Sequence, residues 1–495
     1  MLASGMRWTR SFGVLLPVTS LPASPLFGDF GPQARNFGSF LKSAGARFWQ
    51  VLPLNPPGPG FSPYSSPSSF AGNPLLVSPE LLCREGLLAP EELEGMPAGT
   101  RWAQYELSPL RQRLLDLAFA RFQKTGWRAA EFTAFGEREA WWLEDWALFS
   151  VAKKAFGDQP FWLWPEELAH RKPAALQRFA AQNSQRIEQV KFEQLLFELQ
   201  WQALRRELSP IQIIGDVPFY VALDSADVWA HPELFKLGPD LRPLAVAGVP
   251  PDYFSPDGQL WGNPTYRWEA HQESGFAWWR ARLKRALALY DLVRLDHFRG
   301  FAAAWEVPAG EPTARHGTWV PSPGEEVFRS LGGNLPLIAE DLGHITEDVE
   351  KLRDSLGIPG MAVLQFAFDP GSRSSFLPHF HRQNLVVYTG THDNNTAQGW
   401  WEEEATEEVR AFFRVYAGND DPPHRALIRL AMASVANLAI LPMQDVLGLP
   451  SSCRLNRPGT ASGNWRFRLL EEELHPDPAS WLRHLAWVYD RLVDA

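Results

Sequence analysis

Cysteine is nearly missing from this chain, whose 495 residues include two, Cys83 and Cys453. Two thiols cannot build a disulfide framework or a four-sulfur metal site, and their scarcity fits a reducing compartment. Long apolar runs are missing too. No stretch approaches the ~18 consecutive apolar residues of a membrane span. Residues 1–12 carry charges and a tryptophan where a secretory signal would hold an apolar core. The expectation is a cytoplasmic protein with no membrane contact. An excess of positive charge is also lacking: 57 acidic against 47 basic residues leave a formal charge of -10. That balance argues against nucleic acid or an anionic membrane as partner, since both need basic surface. A neutral or cationic ligand is easier to accommodate. The chain shows no internal repeat and no low-complexity tract.

What is present is an ordinary globular composition, 45% hydrophobic and 21% charged. The 22 tryptophans and 42 prolines are the least ordinary counts. Most tryptophans should be core, because the ring is large and highly buried on average. The remainder suit the apolar faces of sugar rings or of bases, and the acidic charge disfavours bases.

Short apolar runs bounded by turn residues give eight strand candidates, at residues 12–18, 48–54, 211–217, 292–296, 335–340, 361–368, 385–391 and 438–441. Stretches of helical period separate several of them. Phe37, Phe40, Leu41 and Ala44 follow the first strand, and Leu283, Ala286, Leu287 and Tyr290 precede the fourth, each set spaced for one helix face. Alternating strands and helices imply a parallel sheet. Eight units close most naturally into an α/β, (β/α)8 (TIM) barrel, although an open doubly wound sheet shares the pattern.

We read the whole chain, residues 1–495, as one catalytic barrel unit with large insertions after strands 2 and 3. The insertion at residues 62–210 should be a mainly helical subdomain, with Trp142, Trp146 and Phe149 on one apolar face and Phe192, Leu195, Leu196 and Leu199 on another. Those stripes read as core. The insertion at residues 223–275 is rich in Pro, Gly and aromatics around Pro250-Pro251-Asp252-Tyr253-Phe254-Ser255 and Gln259-Leu260-Trp261-Gly262-Asn263-Pro264. It reads as a loop, a lid over the strand ends.

The fourth strand ends in Arg294-Leu295-Asp296-His297-Phe298-Arg299. Taken alone, Arg-x-Asp is first of all a structural ion pair. Position changes that reading, because Asp216, Asp296, Glu340 and Asp393 all fall at the ends of predicted strands. Barrel enzymes draw their catalytic groups from that face, whereas structural carboxylates would scatter. Crowded carboxylates cannot all ionise, so one should stay protonated while another stays anionic. Asp296, held anionic by Arg294, fits a nucleophile. Glu340, preceded by Leu337-Ile338-Ala339, fits a general acid. A carboxylate nucleophile and an acid about 5–5.5 Å apart are the parts of a retaining glycosidase.

With those residues in place, the chain resembles the 4-α-glucanotransferases, the amylomaltases or disproportionating enzymes of the α-amylase superfamily. The likeness rests on Arg294-Leu-Asp296-His297, Ala339-Glu340-Asp341, Thr391-His392-Asp393-Asn394, Ser62-Pro-Tyr64, Gly215-Asp216-Val-Pro, Pro250-Pro-Asp-Tyr-Phe-Ser, Trp261-Gly-Asn-Pro and Ser462-Gly-Asn464-Trp, in order along nearly the whole chain. It implies transfer of α-1,4-glucan segments between malto-oligosaccharides, with Asp296 as nucleophile, Glu340 as acid/base and Asp393 as stabiliser. It further implies substrate-binding roles for Tyr64, Asp216, Trp261, Arg294, His297, His392 and Asn464, with no metal and no cofactor. Asn395, Ala302, Ala304 and Phe467 depart from the residues expected there (Asp, an acidic residue, Tyr and Trp), and Pro59 stands where relatives can carry an aromatic.

The residues leave other readings open. A retaining α-glucan hydrolase would use the same three carboxylates. His392, Asp393 and Asp216 could belong to a metal-dependent hydrolase, although no further histidine stands in register. A glucan-binding protein would explain the tryptophans without using the carboxylates, and His297 could be a hydrogen-bonded structural residue.

Overall fold

Each of the eight apolar runs becomes a strand whose residues are almost all buried, because β-branched and aliphatic side chains covered on both faces favour a parallel ladder. The strands are Ser11–Leu15, Phe48–Gln50, Gln212–Val217, Leu292–Leu295, Leu337–Ala339, Gly360–Val363, Leu385–Tyr388 and Leu438–Pro442. The structure, a computed structural model, describes residues 9–22, 24–251, 255–333, 335–371, 373–418 and 421–492. Seven parallel pairings follow chain order around a ring, the last strand pairing with the first. The remaining gap, between the fifth and sixth strands, is bridged where Ala339 N–H donates to the Pro359 carbonyl at 2.9 Å. This is a (β/α)8 barrel.

Register decides where the chemistry lies. Leu295 sits level with Val217 on one side and with Ala339 on the other. The residues that leave the sheet next, Asp296 and Glu340, therefore emerge side by side. Their amides keep the ladder going for one more step, Asp296 to Val217 O and Glu340 to Leu295 O, both at 3.0 Å. Asp216, one step lower, is the direct neighbour of Arg294. Gly215 allows the approach of Tyr290, since a β-carbon there would meet the Tyr290 ring at 2.1 Å.

The helices cover the ring as their periodicity requires. Pro32–Ala44 starts with proline in its first turn, stops at Gly45 with φ 73°, and buries Phe37, Phe40, Leu41 and Ala44. Phe37 meets Trp49 edge-on at 5.0 Å, and Trp49 donates to Leu16 O at 2.8 Å. Each such aromatic or leucine contributes about 1.5–3 kcal/mol through burial. Within residues 62–210 lie the long helices Ser108–Thr125, Ala129–Ala155 and Ser184–Leu208, with Trp142, Trp146, Phe149, Phe192, Leu195 and Leu196 buried.

The loop reading of residues 223–275 needs correction. This segment contains two antiparallel strands, Ala245–Val249 and Gln259–Pro264, and the helices Ala226–Ala230 and Trp268–Glu273. The strands form a four-stranded sheet with Ala303–Pro308 and Thr318–Pro321, which come after the fourth barrel strand. An excursion after strand 4 thus joins the one after strand 3. The sixth barrel strand is also shorter than its apolar run, giving way to a 3-10 turn at Leu364–Phe366. Asp252, Tyr253 and Phe254 of the Pro250 motif lie outside the described residues.

Candidate active site

Arg294 organises the strand ends. Buried to 4% exposure, its Nη1 lies 2.7 Å and 2.9 Å from the two oxygens of Asp216 and 2.9 Å from Asp296 Oδ1. Burial opposes its charge, but Asp216 and Asp296 more than offset this and hold its pKa well above the usual value. Burial pushes the Asp216 carboxyl upward, with Arg294 pulling the other way. The Tyr64 hydroxyl donates to Asp216 Oδ2 at 2.9 Å. Asp216 is completely enclosed, so it fixes Arg294 and Tyr64, while Asp296 keeps 29% of its side chain exposed.

Glu340 is pushed up to about 8, first by burial and then by the charge of Asp296. Arg294 and two backbone donors resist that shift without cancelling it. The donors are His297 N–H to Oε2 at 2.8 Å and Leu342 N–H to Oε1 at 3.0 Å, and they hold the carboxyl in one orientation. His297 can aim its N–H there because its backbone is left-handed, with φ 50°, a conformation that costs roughly 1–2 kcal/mol for a residue with a β-carbon. Its ring is pushed down to about 4 by burial, so it is neutral at pH 7. Its Nε2 is buried with no partner among the described residues. Trp261, 38% exposed, meets this ring edge-on at 4.8 Å.

Opposite them, His392 stacks on Tyr64, rings 4.8 Å apart and 16° from parallel, with Tyr64 Oη 3.3 Å from His392 Nδ1. Burial lowers the His392 pKa, so this ring is neutral too. Its Nε2 lies 3.4 Å from Asp393 Oδ2. Tyr64, Asp216, Arg294, Asp296 and His297–Glu340 thus form one continuous set of contacts with His392 and Asp393.

Asn464 stands apart from it. Its Oδ1 accepts from Arg457 N–H at 2.9 Å and its Nδ2 donates to Thr460 O at 3.0 Å, so its amide closes its own loop. The amide that reaches a carboxylate is Asn456, donating to Asp393 Oδ1 at 2.7 Å. Neither Asn456 nor Arg454 was singled out in the sequence. Arg454 donates to Asp393 O at 2.5 Å and to Asn456 O at 2.6 Å, and it pairs with Glu404 at 3.1 Å. Asn395 donates to the same Glu404 oxygen at 3.0 Å. A π turn at Trp400–Glu404 carries Glu404. An aspartate at position 395 would face that carboxylate as a like charge, so an amide suits this setting. Trp465, beside Asn464, packs at 5.7 Å from Tyr64 and 6.0 Å from His392. Of the other departures, Phe467 is buried beneath Arg101 and Ala304 pairs with Val320 in the small sheet.

Among the described residues no three His, Cys, Asp or Glu side chains gather as a metal site. What the arrangement offers is a carboxyl kept protonated, a partly exposed carboxylate held by a guanidinium, and a second carboxylate held by an amide. Such a set can protonate a leaving oxygen and attack the carbon it leaves.

The family model described as 4-alpha-glucanotransferase matches residues 16–473. The 4-alpha-glucanotransferase of Thermus thermophilus is 48% identical over 98% of this chain and 100% of its own length. The chloroplastic/amyloplastic 4-alpha-glucanotransferase of Solanum tuberosum is 44% identical over 93% of this chain and 82% of its own. Among solved structures, the amylomaltase from Streptococcus agalactiae in complex with acarbose superposes with TM-score 0.95 at 38% identity, covering 98% of this chain and 100% of that one. The amylomaltase from Corynebacterium glutamicum shares the fold, with TM-score 0.78 at 19% identity over 97% of this chain and 75% of that one.

Proposed function

The chain belongs to the 4-alpha-glucanotransferases, glycoside hydrolase family 77, and from that premise we propose which of its own residues perform the transfer. Asp296 attacks the anomeric carbon of an α-1,4-linked glucan. Glu340, protonated at neutral pH, gives its proton to the departing glycosidic oxygen. The observation that carries this assignment is the unlike setting of two neighbouring carboxyls: Glu340 is buried and pushed up to about 8, while Asp296 is partly exposed and sits 2.9 Å from Arg294.

Once the glycosyl group is bonded to Asp296, the negative charge there disappears. The second cause of the raised Glu340 pKa goes with it, so Glu340 is ready to take a proton from the hydroxyl that attacks next. Configuration is retained through the two displacements. Asp393, kept in place by Asn456 and Arg454, is suited to hold sugar hydroxyls as the ring distorts. Tyr64 and the unpartnered Nε2 of His297 offer a ring face and a hydrogen-bonding atom to the sugar.

Transfer needs a sugar hydroxyl to outcompete water at the glycosyl-enzyme. A positioned hydroxyl can reach an effective molarity of about 10⁵–10⁸ M. Trp261, in the small sheet and against His297, is the surface we assign to the incoming sugar. Malto-oligosaccharides are the donors and acceptors, in a cytoplasmic setting.

Incubation with maltotriose followed by product separation tests the reading. A ladder of longer and shorter oligomers with glucose is expected, whereas glucose and maltose alone would point to the hydrolase with the same carboxylates.

A further inference from the structure

A cavity of about 270 Å³ lies between the helices Ala129–Ala155, Ala226–Ala230 and Ala277–Leu289, and none of Asp296, Glu340 or Asp393 lines it. Its wall is aromatic: Phe70, Trp141, Trp142, Trp146 and Trp278 contribute rings. Four of these five are buried, but Trp141 is 48% exposed. Its ring meets Phe70 at 5.0 Å and Trp142 at 6.5 Å, both edge-to-face. Trp141 thus stands half in water at the edge of the cavity.

Three residues on this wall each carry a buried polar atom with no hydrogen-bond partner among the described residues: Asp227 Oδ1, Trp146 Nε1 and Trp278 Nε1. A buried group left unpaired costs about 1–3 kcal/mol, so three together in one wall call for an explanation. They comprise one acceptor and two donors. A hydroxyl group answers both kinds, since it donates to a carboxyl oxygen and accepts from an indole N–H.

The charges around the cavity define the ligand further. Asp145 is paired with Arg171 at 2.5 Å, and Glu233 lies 3.6 Å from His231. Burial raises the Asp227 pKa, and its other oxygen accepts from Ser69 N–H at 2.8 Å. No lysine or arginine lines the cavity to hold an anion, and burial disfavours charge on Asp227. A neutral ligand with apolar faces and several hydroxyls fits what remains. The volume, close to the lower end of small-molecule pockets at ~300 Å³, suits one sugar ring.

We propose that this aromatic cavity binds a glucosyl unit of a glucan chain away from the reaction centre, with Trp141 as the stacking face and Asp227 and the Trp146 and Trp278 indoles as hydroxyl partners. The choice of glucose over another neutral polyol rests on the proposed function.

Crystals of Asp296→Asn, which cannot consume the sugar, are soaked in maltotriose. A glucosyl ring stacked on Trp141 is expected, and its loss in the Asp296→Asn/Trp141→Ala double variant. In solution the sugar-binding event at this cavity should weaken at least tenfold in both Trp141→Ala and Asp227→Asn, while single Trp141→Ala enzyme keeps its turnover of maltotriose. Sugar beside the carboxylates with the cavity empty overturns this proposal and leaves the proposed function standing. Sugar in the cavity with none at the carboxylates does the reverse. Equal binding isotherms in the parent, Trp141→Ala and Asp227→Asn also overturn it.

Discussion

Asn456 donates its amide to Asp393 Oδ1 at 2.7 Å, across 63 positions of sequence, and so fixes a carboxylate that is otherwise 46% exposed. A hydrogen bond to a charged acceptor contributes about 1.5–3 kcal/mol. Asp393 without it can rotate away from the sugar. Asn456→Ala should lower kcat about tenfold or more with a folded protein, and Asn456→Asp should lower it further by placing a like charge against Asp393. Initial rates on maltotriose decide this. Equal activity in Asn456→Asp would mean that Asp393 needs no such partner.

The Glu340 carboxyl must be protonated for the first step, and its pKa is about 8. Below that value the acid is present; above it the proton is lost. The profile of kcat/KM against pH should therefore fall on its alkaline side with a midpoint near 8. Because the charge of Asp296 is one of the causes, Glu340 should titrate lower in Asp296→Asn, as read from its side-chain carboxyl by carbon-13 NMR. An unshifted titration in Asp296→Asn would dissociate the two groups.

The same shift acts on stability. A carboxyl whose pKa is raised on folding is held more tightly as the neutral acid, so its contribution is fully present below the unfolded value near 4.3 and is lost as pH rises through about 8. Glutamine never has to carry that charge. The Tm of Glu340→Gln minus that of the parent should thus increase from pH 5 to pH 9. A constant offset is also expected, since the glutamine NH2 must face one of the two N–H donors. A difference that stays flat across this range would place Glu340 in contact with water.

Trp261→Ala should shift the partition of the glycosyl-enzyme toward water. Hydrolytic ends, counted by a reducing-end assay against the product ladder, should rise relative to transferred bonds while some total bond cleavage persists. An unchanged ratio would move acceptor selection to another surface.

The barrel was legible because most of its runs, such as Leu-Ala-Ile-Leu at 438–441, are apolar on both faces, and a closed ring covered by helices buries both. The carboxylates were legible by position, at the ends of those runs. The small sheet was not. Gln259–Pro264 is mostly exposed and contains Gly262 and Pro264, and its one partner, Ala245–Val249, pairs in turn with the distant Ala303–Pro308, which local composition does not reveal. Asn456 does not stand out in the sequence for a similar reason. Its role is created by the approach of Arg454 and Asp393 in space, while Asn464, in a more conspicuous Ser-Gly-Asn-Trp setting, spends its amide on Arg457 and Thr460.

The central claim, that Asp296 forms a covalent bond to the sugar, is tested most directly by trapping it. Glu340→Gln with an α-maltosyl fluoride has a leaving group that needs no acid, yet it lacks the base for the second step, so the glycosyl-enzyme should accumulate. Mass spectrometry of the quenched digest should find the added maltosyl mass on the peptide containing Asp296, and not after Asp296→Asn is combined with Glu340→Gln. An adduct on Asp393 or Asp216, or fluoride release without any adduct while Asp296→Asn releases it equally fast, would contradict the assignment.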